Sequence, residues 1–278
     1  MTSVPPLAAI KSASDVGSAV GCALKRAGWH PILLEGPSPG VTRRLMAFAP
    51  AVWEGRAELA GLTGVRCETA AQALALRLDP GLLPVLVVER MDPAAHLAPD
   101  VVVDARMRKR QEPPIQIGEA PLALGIGPGF ACGRHVHGVI ESNWGAQLGR
   151  VLWSGRSQDY TGKHREIGGF GRERYLYAPD AGRFRTHHDV LDPVRHGEIV
   201  GWVDSAPLRA GIAGILRGLA NDGLRVAAGA KLVEIDPIGD PARCRGIGER
   251  PAAIAEGVLA ALRERGVMRT GDPAAPSG

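Results

Sequence analysis

Short apolar runs alternate with helical patterns over the first hundred residues of the chain. The apolar runs predict buried strands, and the intervening segments carry apolar residues at helical spacing. Strands that alternate with helices predict a parallel sheet with helical crossovers, so residues 1–115 are expected to form a Rossmann-like α/β domain. The predicted strands are Leu7–Lys11, Pro31–Glu35, Pro84–Val88 and Asp100–Asp104, and the predicted helices are Asp15–Ala27 and Thr69–Leu78.

The turn after the first strand decides whether this domain binds a dinucleotide. The dinucleotide fingerprint requires glycine at its first two marked positions, and Ser12 and Ser14 stand there, while Gly17 keeps the third. Glu35 ends the second strand, where an acid could bind ribose hydroxyls. Two interpretations stay open: a degenerate or differently used pocket, or a cofactor site that includes Ser12, Ser14, Asp15 and Glu35. The missing glycines predict weak binding of NAD and NADP, with dissociation constants above about 10 μM.

Two groups of basic residues are candidates for phosphate binding. Arg43 and Arg44 follow the second strand, and Arg106, Arg108 and Lys109 follow the strand at Asp100–Asp104, at the expected carboxyl edge of the sheet. Solvated surface is the alternative for both groups. Lys and Arg outnumber Asp and Glu by 33 to 29 and aromatic residues make up 4%, which favours a small anionic ligand over a nucleic-acid polymer.

Beyond residue 120 the pattern changes to short strands separated by glycines. Gly127 and Gly129 lie in a glycine-rich turn whose backbone N–H groups could bind an anion, although a tight connector is equally compatible. In the predicted strand that follows, His135, His137 and Glu141 share one face. That arrangement suggests a metal-binding or acid/base set, and the alternative is an exposed polar face of a sheet.

An internal duplication with an offset of 32 residues runs from residue 177 to residue 235. Each half resembles one half of the biotinyl/lipoyl-like barrel-sandwich hybrid, and the stretch Asp204–Leu208 lacks the lysine of a carrier domain, so we interpret the module as a scaffold. The expected organisation is therefore α/β, with a Rossmann-like domain at 1–115, a glycine-rich β segment at 116–176, the duplicated module at 177–240, a C-terminal helix at 241–266 and a disordered tail at 267–278. The identical pairs are Ala178/Ala210, Ala181/Ala213, Gly182/Gly214, Arg185/Arg217, Val194/Val226 and Gly197/Gly229.

Composition narrows the cellular context. The four cysteines occur singly, and no stretch reaches the roughly 18 apolar residues of a membrane span. The sequence therefore predicts a cytoplasmic protein with reduced thiols and no membrane segment.

Several ordered motifs together resemble the selenium-dependent molybdenum hydroxylase accessory family, which is related in role to xanthine and carbon monoxide dehydrogenase maturation factors. The resemblance implies a maturation protein that binds or modifies a molybdopterin-type nucleotide cofactor, with possible insertion of sulfur or selenium, and that acts on a molybdenum hydroxylase client. It also implies that His137 and Glu141 form the family's His-x-x-x-Glu pair. Independently of the resemblance, a homo-oligomer is an expected assembly. The motifs include Leu33–Glu35, Arg43–Arg44, Asp104–Lys109, Gly125–Phe130, His137–Gly145, Glu166–Gly171 and Ile235–Pro237.

Two other functions remain open at this point. One is an NAD(P)-dependent oxidoreductase with a degenerate Rossmann turn. The other is a metal-dependent enzyme centred on His137 and Glu141, with His135 as a further ligand.

Overall fold

The computed structural model describes residues 5–92, 97–109, 111–162 and 165–267. Arg110 and most of the predicted tail, residues 268–278, lie outside the described residues. Within that part of the chain, no helix combines the length and apolarity needed to cross a membrane. The chain divides into two compact units. Unit 1 contains Met1–Pro37, Ala47–Thr161 and Ile247–Gly278, and unit 2 contains Ser38–Met46 and Gly162–Gly246.

Unit 1 is built on a nine-stranded mixed sheet with the order β3-β4-β5-β2-β1-β6-β7-β8-β9. All neighbouring pairs are parallel except the two at the edges, β3–β4 and β8–β9. The strands are β1 (Leu7–Lys11), β2 (His30–Glu35), β3 (Arg56–Leu59), β4 (Leu62–Cys67), β5 (Leu82–Val87), β6 (Val101–Asp104), β7 (Leu122–Ile126), β8 (Gly138–Ile140) and β9 (Val151–Leu152).

Four helices accompany this sheet: α1 (Asp15–Arg26), α2 (Ala51–Glu54), α3 (Ala70–Leu76) and α4 (Glu249–Glu264). Helix α3 begins with a capping box, in which the Thr69 hydroxyl accepts the Gln72 N–H and the Gln72 side chain accepts the Thr69 N–H. Helices α1 and α4 pack against each other. On α4 the buried residues Ile254, Val258 and Leu262 follow the helical repeat, as the sequence predicts.

Unit 2 consists of two four-stranded antiparallel sheets, with the orders β10-β17-β15-β12 and β14-β13-β11-β16. One continuous apolar core includes Phe184, Val200, Leu216, Leu232 and Ile235, all fully buried. The strands are β10 (Tyr175–Tyr177), β11 (Gly182–Arg185), β12 (Pro193–Val194), β13 (Ile199–Val203), β14 (Ala206–Arg209), β15 (Gly214–Leu219), β16 (Arg225–Val226) and β17 (Lys231–Asp236).

The strands of unit 2 repeat with the 32-residue offset seen in the sequence. Adding 32 to the bounds of β12 gives those of β16, and the same shift places β10, β11 and β13 onto β14, β15 and β17 to within one or two residues. The pairing repeats as well. The pair β10–β17 corresponds to the pair β14–β13. Likewise, β11–β16 corresponds to β15–β12, and β11–β13 corresponds to β15–β17.

The predicted fold class, a Rossmann-like unit followed by a biotinyl/lipoyl-like barrel-sandwich module, is wrong. The first sheet does not end near residue 115: β7 pairs parallel with β6, and β8 and β9 extend the sheet to Leu152. It also has antiparallel edges, one formed by a hairpin whose two turn residues, Ala60 and Gly61, both have positive φ. The glycines after residue 120 therefore punctuate short strands of the same sheet and do not mark a separate β segment.

Candidate anion-binding site

Strands β1, β6, β7 and β8 of unit 1 run parallel, so their carboxyl ends meet at one edge of the sheet. The chain leaves β1 toward β2 on one side, while β6 lies on the other side of β1. Such a reversal of strand order opens a crevice at the carboxyl edge, where open α/β sheets bind ligands. The loops that begin at Ser12, Ala105, Gly127 and Glu141 therefore form the candidate site.

The turn after β1 uses its own backbone donors. The Ser12 N–H donates to the Leu34 carbonyl at 2.8 Å, the Ala13 N–H to Glu35 Oε2 at 2.7 Å, and the Ser14 N–H to Ser12 Oγ at 3.1 Å. Ser12 has φ 101°, a conformation that favours glycine. Ser12 thus adopts a glycine-type backbone conformation, and these three N–H groups are occupied within the protein.

Glu35 fills the position next to this turn. Its side chain is buried, Oε1 accepts the Gly36 N–H at 2.9 Å, and Ser12 Oγ lies 3.3 Å from Oε2. Burial raises the pKa of Glu35 above its usual value, although the hydrogen bonds from Ala13 and Gly36 oppose that shift. The Asp15 carboxylate accepts the N–H of Val16 at the start of α1. The structure therefore brings Ser12, Ser14 and Glu35 together: the Ser12 hydroxyl contacts both the Ser14 hydroxyl and the Glu35 carboxylate.

The loop after β6 begins with a buried ion pair. Arg106 Nε donates to Asp104 Oδ1 at 2.9 Å and its Nη2 contacts Asp104 Oδ2, which also accepts a hydrogen bond from Gln116 Nε2 at 2.8 Å. Burial alone would raise the pKa of Asp104, but the hydrogen bonds and charge of Arg106 hold it below its usual value. Asp104 therefore neutralises Arg106 and fixes its orientation.

Arg108 and Lys109 add further positive charge to this loop. Within the described part of the chain, Arg108 Nε is buried and makes no hydrogen bond, and the pKa of Arg108 is lowered by burial and by the neighbouring charge of Arg106. Lys109 Nζ lies 5.6 Å from the centre of the Tyr160 ring. A buried guanidinium nitrogen without an acceptor carries a desolvation cost that an anionic ligand would remove.

The turn after β7 brings the other loops to one point. Gly127 has φ 91°, and a Cβ added there would lie 2.8 Å from Ser142 Oγ and 3.1 Å from Met107 Sδ. Ser142 Oγ is buried and has no hydrogen-bond partner among the residues that the structure describes. The Gly127 N–H donates to the Ile140 carbonyl at 3.0 Å, and a Cβ on Gly129 would meet Pro113 at 3.2 Å. The glycines thus permit close approach of the loops, and the loops after β6 and β8 meet beside Gly127.

Another buried ion pair lies at the end of β1. Lys11 Nζ is 2.5 Å from Glu119 Oε2, and the Lys11 side chain is buried. Burial lowers the pKa of Lys11, and the contact with Glu119 opposes that shift. Sequence reasoning did not identify Lys11, Gln116, Glu119 or Ser142. Only the charge at the end of an otherwise apolar strand could have pointed to Lys11.

The histidines and Glu141 do not converge. Strand β8 contains only residues 138–140, so His137 precedes it and Glu141 follows it. His137 Nδ1 accepts the Ala123 N–H at 2.9 Å, and His135 Nδ1 accepts the Ala131 N–H at 3.0 Å. Glu141 follows His137 at an offset of four residues along extended chain, which places their Cα atoms about 13 Å apart.

Each of these three side chains has a structural contact. Glu141 is buried and accepts the N–H groups of Ser142, Asn143 and Gln158 at 2.7 to 2.8 Å, so it binds the loop after β8 to a later segment. His135 Nε2 lies 3.2 Å from Glu112 Oε1. Burial and the charge of Arg265 lower the pKa of His137. Among the described residues, no three His, Cys, Asp or Glu side chains are grouped so as to hold a metal ion.

Arg43 and Arg44 belong to unit 2 and have protein partners there. Arg43 Nε and Nη2 donate to the two carboxylate oxygens of Glu234, each at 2.9 Å. Arg44 donates to Asp189 Oδ1 at 2.6 Å and to the Leu219 carbonyl at 3.0 Å. The catalytic, metal-binding and cofactor-binding roles expected from the sequence stay predictions at each of these positions.

Comparison with known proteins gives one curated relative and several solved structures. No protein-family model matches the chain. "Uncharacterized protein YqeB" of Escherichia coli (strain K12) is 37% identical over 256 residues, which cover 92% of this chain and 47% of the relative. The chain therefore spans about half the length of the curated relative it matches.

The solved structures are succinylglutamate desuccinylase, aspartoacylase and ectoine-utilisation proteins. A succinylglutamate desuccinylase/aspartoacylase from Rhodobacter sphaeroides is 32% identical over an alignment that covers 26% of this chain and 23% of that protein's chain, with a TM-score of 0.21. EutE (DoeB) from Ruegeria pomeroyi is 12% identical with coverages of 75% and 58% and a TM-score of 0.24. An aspartoacylase family protein from Mesorhizobium loti is 12% identical with coverages of 84% and 85% and a TM-score of 0.27. Scores this low do not transfer the activity of any of these proteins to this chain.

These findings correct the family resemblance. The similar solved structures are named for the succinylglutamate desuccinylase and aspartoacylase family and for ectoine utilisation, and none is named as a molybdenum hydroxylase accessory protein. The assignment to that accessory family is therefore wrong. The predicted maturation function is also wrong, as is the predicted association with a molybdenum cofactor and with xanthine dehydrogenase. The two alternatives, an NAD(P)-dependent oxidoreductase and a metal-dependent enzyme at His137 and Glu141, gain no support from these relatives.

Proposed function

We propose that unit 1 binds a small anionic, nucleotide-like ligand at the carboxyl edge of β1, β6 and β7. The observation that carries the proposal is that two buried polar atoms, Arg108 Nε and Ser142 Oγ, have no hydrogen-bond partner among the described residues, on loops that meet beside Gly127. Buried polar groups in folded proteins almost always have hydrogen-bond partners. A phosphate group would offer oxygen acceptors to both loops.

The charge distribution selects an anion. Asp104 neutralises Arg106, and Glu119 neutralises Lys11, so among the described residues of the loop after β6, Arg108 and Lys109 contribute positive potential at this edge. The neighbouring charge of Arg106 disfavours the charged form of Arg108, and a bound anion would reverse that effect. Arginine binds phosphate through paired N–H donors, which suits a phosphate group better than a neutral ligand.

The position of the phosphate differs from that in a dinucleotide enzyme. The turn N–H groups at residues 12–14 are already bonded, so they are not available to a pyrophosphate. The ligand's phosphate would instead lie against the loops after β6 and β8. Accordingly, we expect NAD and NADP to bind with dissociation constants above about 10 μM.

Titration calorimetry of the whole chain with ATP, GTP, CTP and their monophosphates tests this function. Arg108→Met should weaken binding of the preferred nucleotide at least about tenfold, because it removes the donor while keeping a side chain of similar length. Ser142→Ala should weaken it less, because a hydroxyl bond to phosphate is uncharged on the protein side. Arg56→Met, an exposed position on the edge strand β3, is the matched control and should leave binding unchanged. Equal affinity of Arg108→Met and the native chain, or no nucleotide binding by the native chain, would exclude the site.

We also propose a cytoplasmic location. All four cysteines are free thiols, and Cys22, Cys67 and Cys244 are buried. Burial raises the pKa of each of these three thiols to about 11, so they are unreactive structural groups. Free, unpaired cysteines are typical of a reducing compartment. Cell fractionation of the full-length protein with a periplasmic marker as reference tests the proposal.

A further inference from the structure

Unit 2 contains a group of ionised side chains around Glu234, here called the Glu234 cluster. Glu234 is fully buried on β17 and contacts Arg43 at 2.9 Å, Lys231 at 2.8 Å, Arg174 at 3.2 Å and Arg217 at 3.8 Å. Asp236, also fully buried on β17, lies 3.1 Å from Arg243 Nε and 3.7 Å from Arg217 Nη1.

The cations of the Glu234 cluster outnumber its carboxylates. Five positive side chains contact two negative ones in the ion pairs just given, and Arg174 is almost completely buried. Cations held close together in a low-dielectric environment repel one another, so a cluster of this composition favours a further anion. Burial and the charge of Arg43 lower the pKa of Arg217, which shows the same imbalance locally.

The backbone around Arg217 departs from the repeat. In the first half of unit 2, Arg185 pairs directly with Trp202 across β11 and β13. In the second half, Leu216 pairs with Ile235 and Gly218 with Glu234, so Arg217 is an extra residue without a cross-strand partner.

A β-bulge of this kind changes the direction of a side chain and occurs frequently beside functional sites. Arg217 Nε is buried, makes no hydrogen bond with any described residue and lies 3.8 Å from Glu234 Oε1, which is too far for one. The bulge therefore holds a guanidinium group among other cations with an N–H donor unused.

The segment Ser38–Met46 crosses the same bulge. The Leu219 N–H donates to the Thr42 carbonyl at 2.8 Å, and a Cβ on Gly218 would lie 3.2 Å from Thr42 Oγ1. Glycine at position 218 thus permits the close approach that brings Arg43 to Glu234. Arg43 and Arg217, which come from separate elements, therefore both lie beside Glu234.

We propose that the Glu234 cluster binds a phosphate group, with Arg217 as the central donor and Arg43, Lys231 and Arg243 around it. A phosphate carries about −1.5 to −2 at neutral pH, so it offers the unused Nε–H of Arg217 an acceptor and offsets the repulsion among these cations better than a single carboxylate does. The side chains of Arg43, Lys231 and Arg243 are 23%, 27% and 37% exposed, so the group can reach them from solvent. Glu234 holds the guanidinium groups in place, as a positioning residue.

The experiment measures binding of inorganic phosphate to the whole chain by calorimetry and by the phosphate dependence of the unfolding midpoint. Arg217→Met should weaken binding at least about tenfold, and Arg217→Lys should weaken it less because a positive charge remains. Arg225→Met is the matched control, since Arg225 is an exposed arginine on β16 of the same unit. Repeating the comparison in the Arg108→Met background, which lacks the donor proposed for unit 1, separates the two sites, because Arg217→Met should cause the same loss of phosphate binding there.

The outcomes decide between sources of the anion and exclude the site if it does not exist. Glycerol phosphate that binds as tightly as inorganic phosphate would identify a phosphorylated small molecule as the ligand class, whereas selective binding of inorganic phosphate would identify the free ion, and either result supports the site. Equal phosphate affinity in Arg217→Met and the native chain would overturn the proposal. So would tighter binding of succinate than of phosphate. Each variant's circular dichroism spectrum shows whether a loss of binding reflects a loss of folding.

Discussion

The two halves of unit 2 have the same strand pairing but different chemistry at equivalent positions. At an offset of 32 residues, Trp202 corresponds to Glu234, and Arg185 corresponds to Arg217. Trp202 packs edge-to-face on His187 with ring centres 5.9 Å apart, and Arg185 pairs with Asp222 at the surface. In the second half, the equivalent residues are members of the buried Glu234 cluster.

This difference shows that the strand arrangement does not require buried ions. The first half makes the same pairings with an aromatic residue and an exposed ion pair, and apolar residues such as Phe184 and Leu216 fill the core in both halves. A buried ionic group contributes little net stability compared with apolar packing, so its presence in one half only points to a role beyond folding. Three predictions sharpen the comparison, in order of decreasing effect.

The largest effect is expected from Glu234→Gln. The substitution leaves the surrounding cations without their shared carboxylate, so the free energy of unfolding should fall by about 3–5 kcal/mol. Denaturant titration followed by circular dichroism measures the change. A loss below about 1 kcal/mol would mean that the two halves depend equally little on charge.

The same variant tests a pH dependence. Burial would raise the pKa of Glu234, but Lys231 and Arg43 hold it well below its ordinary value of 4.5. The unfolded chain therefore takes up this proton at a higher pH than the folded chain does, so the carboxylate stabilises the fold above pH 4.5 and the contribution is lost as the pH falls toward the folded pKa. Glu234→Gln should remove this part of the acid sensitivity. An identical slope of stability against pH in both proteins would contradict the assignment.

The second prediction compares Asp236→Asn with Asp204→Asn, the same change at equivalent positions. Asp236 is fully buried, contacts two arginines and accepts the Ile238 N–H at 2.9 Å, so its loss should cost about 2 kcal/mol. Asp204 is exposed, and its replacement should change stability by less than about 0.5 kcal/mol. Equal effects would show that the buried cluster has no special dependence on charge.

Sequence patterns predicted individual elements better than their assembly. The strands at β1, β2, β5 and β6 and the apolar stripe of α4 follow directly from runs and periodicity, because burial on both faces or along one face leaves a local signature. The extent of the first sheet did not follow, because β8 and β9 are only three and two residues long and carry no usable period. The hairpin at Ala60 and Gly61 has a weak turn sequence and was also missed.

The candidate site in unit 1 could be predicted only in part. The basic residues after Asp104 signal the carboxyl edge because a charge that directly follows a buried strand must lie at its end. Glu35 was expected to face a ligand, yet it bonds the turn at Ser12 and Ala13, which only the side-chain geometry reveals. Neither Ser142 nor the bulge at Arg217 has a sequence signature, since each depends on contacts between distant segments.

The smallest effect is expected from Arg185→Met, the first-half counterpart of Arg217→Met. Arg185 Nη1 lies 3.0 Å from Asp222 Oδ2, with the two side chains 57% and 48% exposed. Exposed ion pairs contribute about 0–1 kcal/mol, because water screens the charges and two flexible side chains must be ordered. Arg185→Met should therefore lower the free energy of unfolding by less than about 1 kcal/mol, and added salt should reduce the difference further. Since Thr186 also donates its N–H to Asp222, the loop keeps an anchor without Arg185. A salt-independent loss above about 2 kcal/mol would show that the first half also depends on a specific ionic contact, and the contrast with the Glu234 cluster would no longer hold.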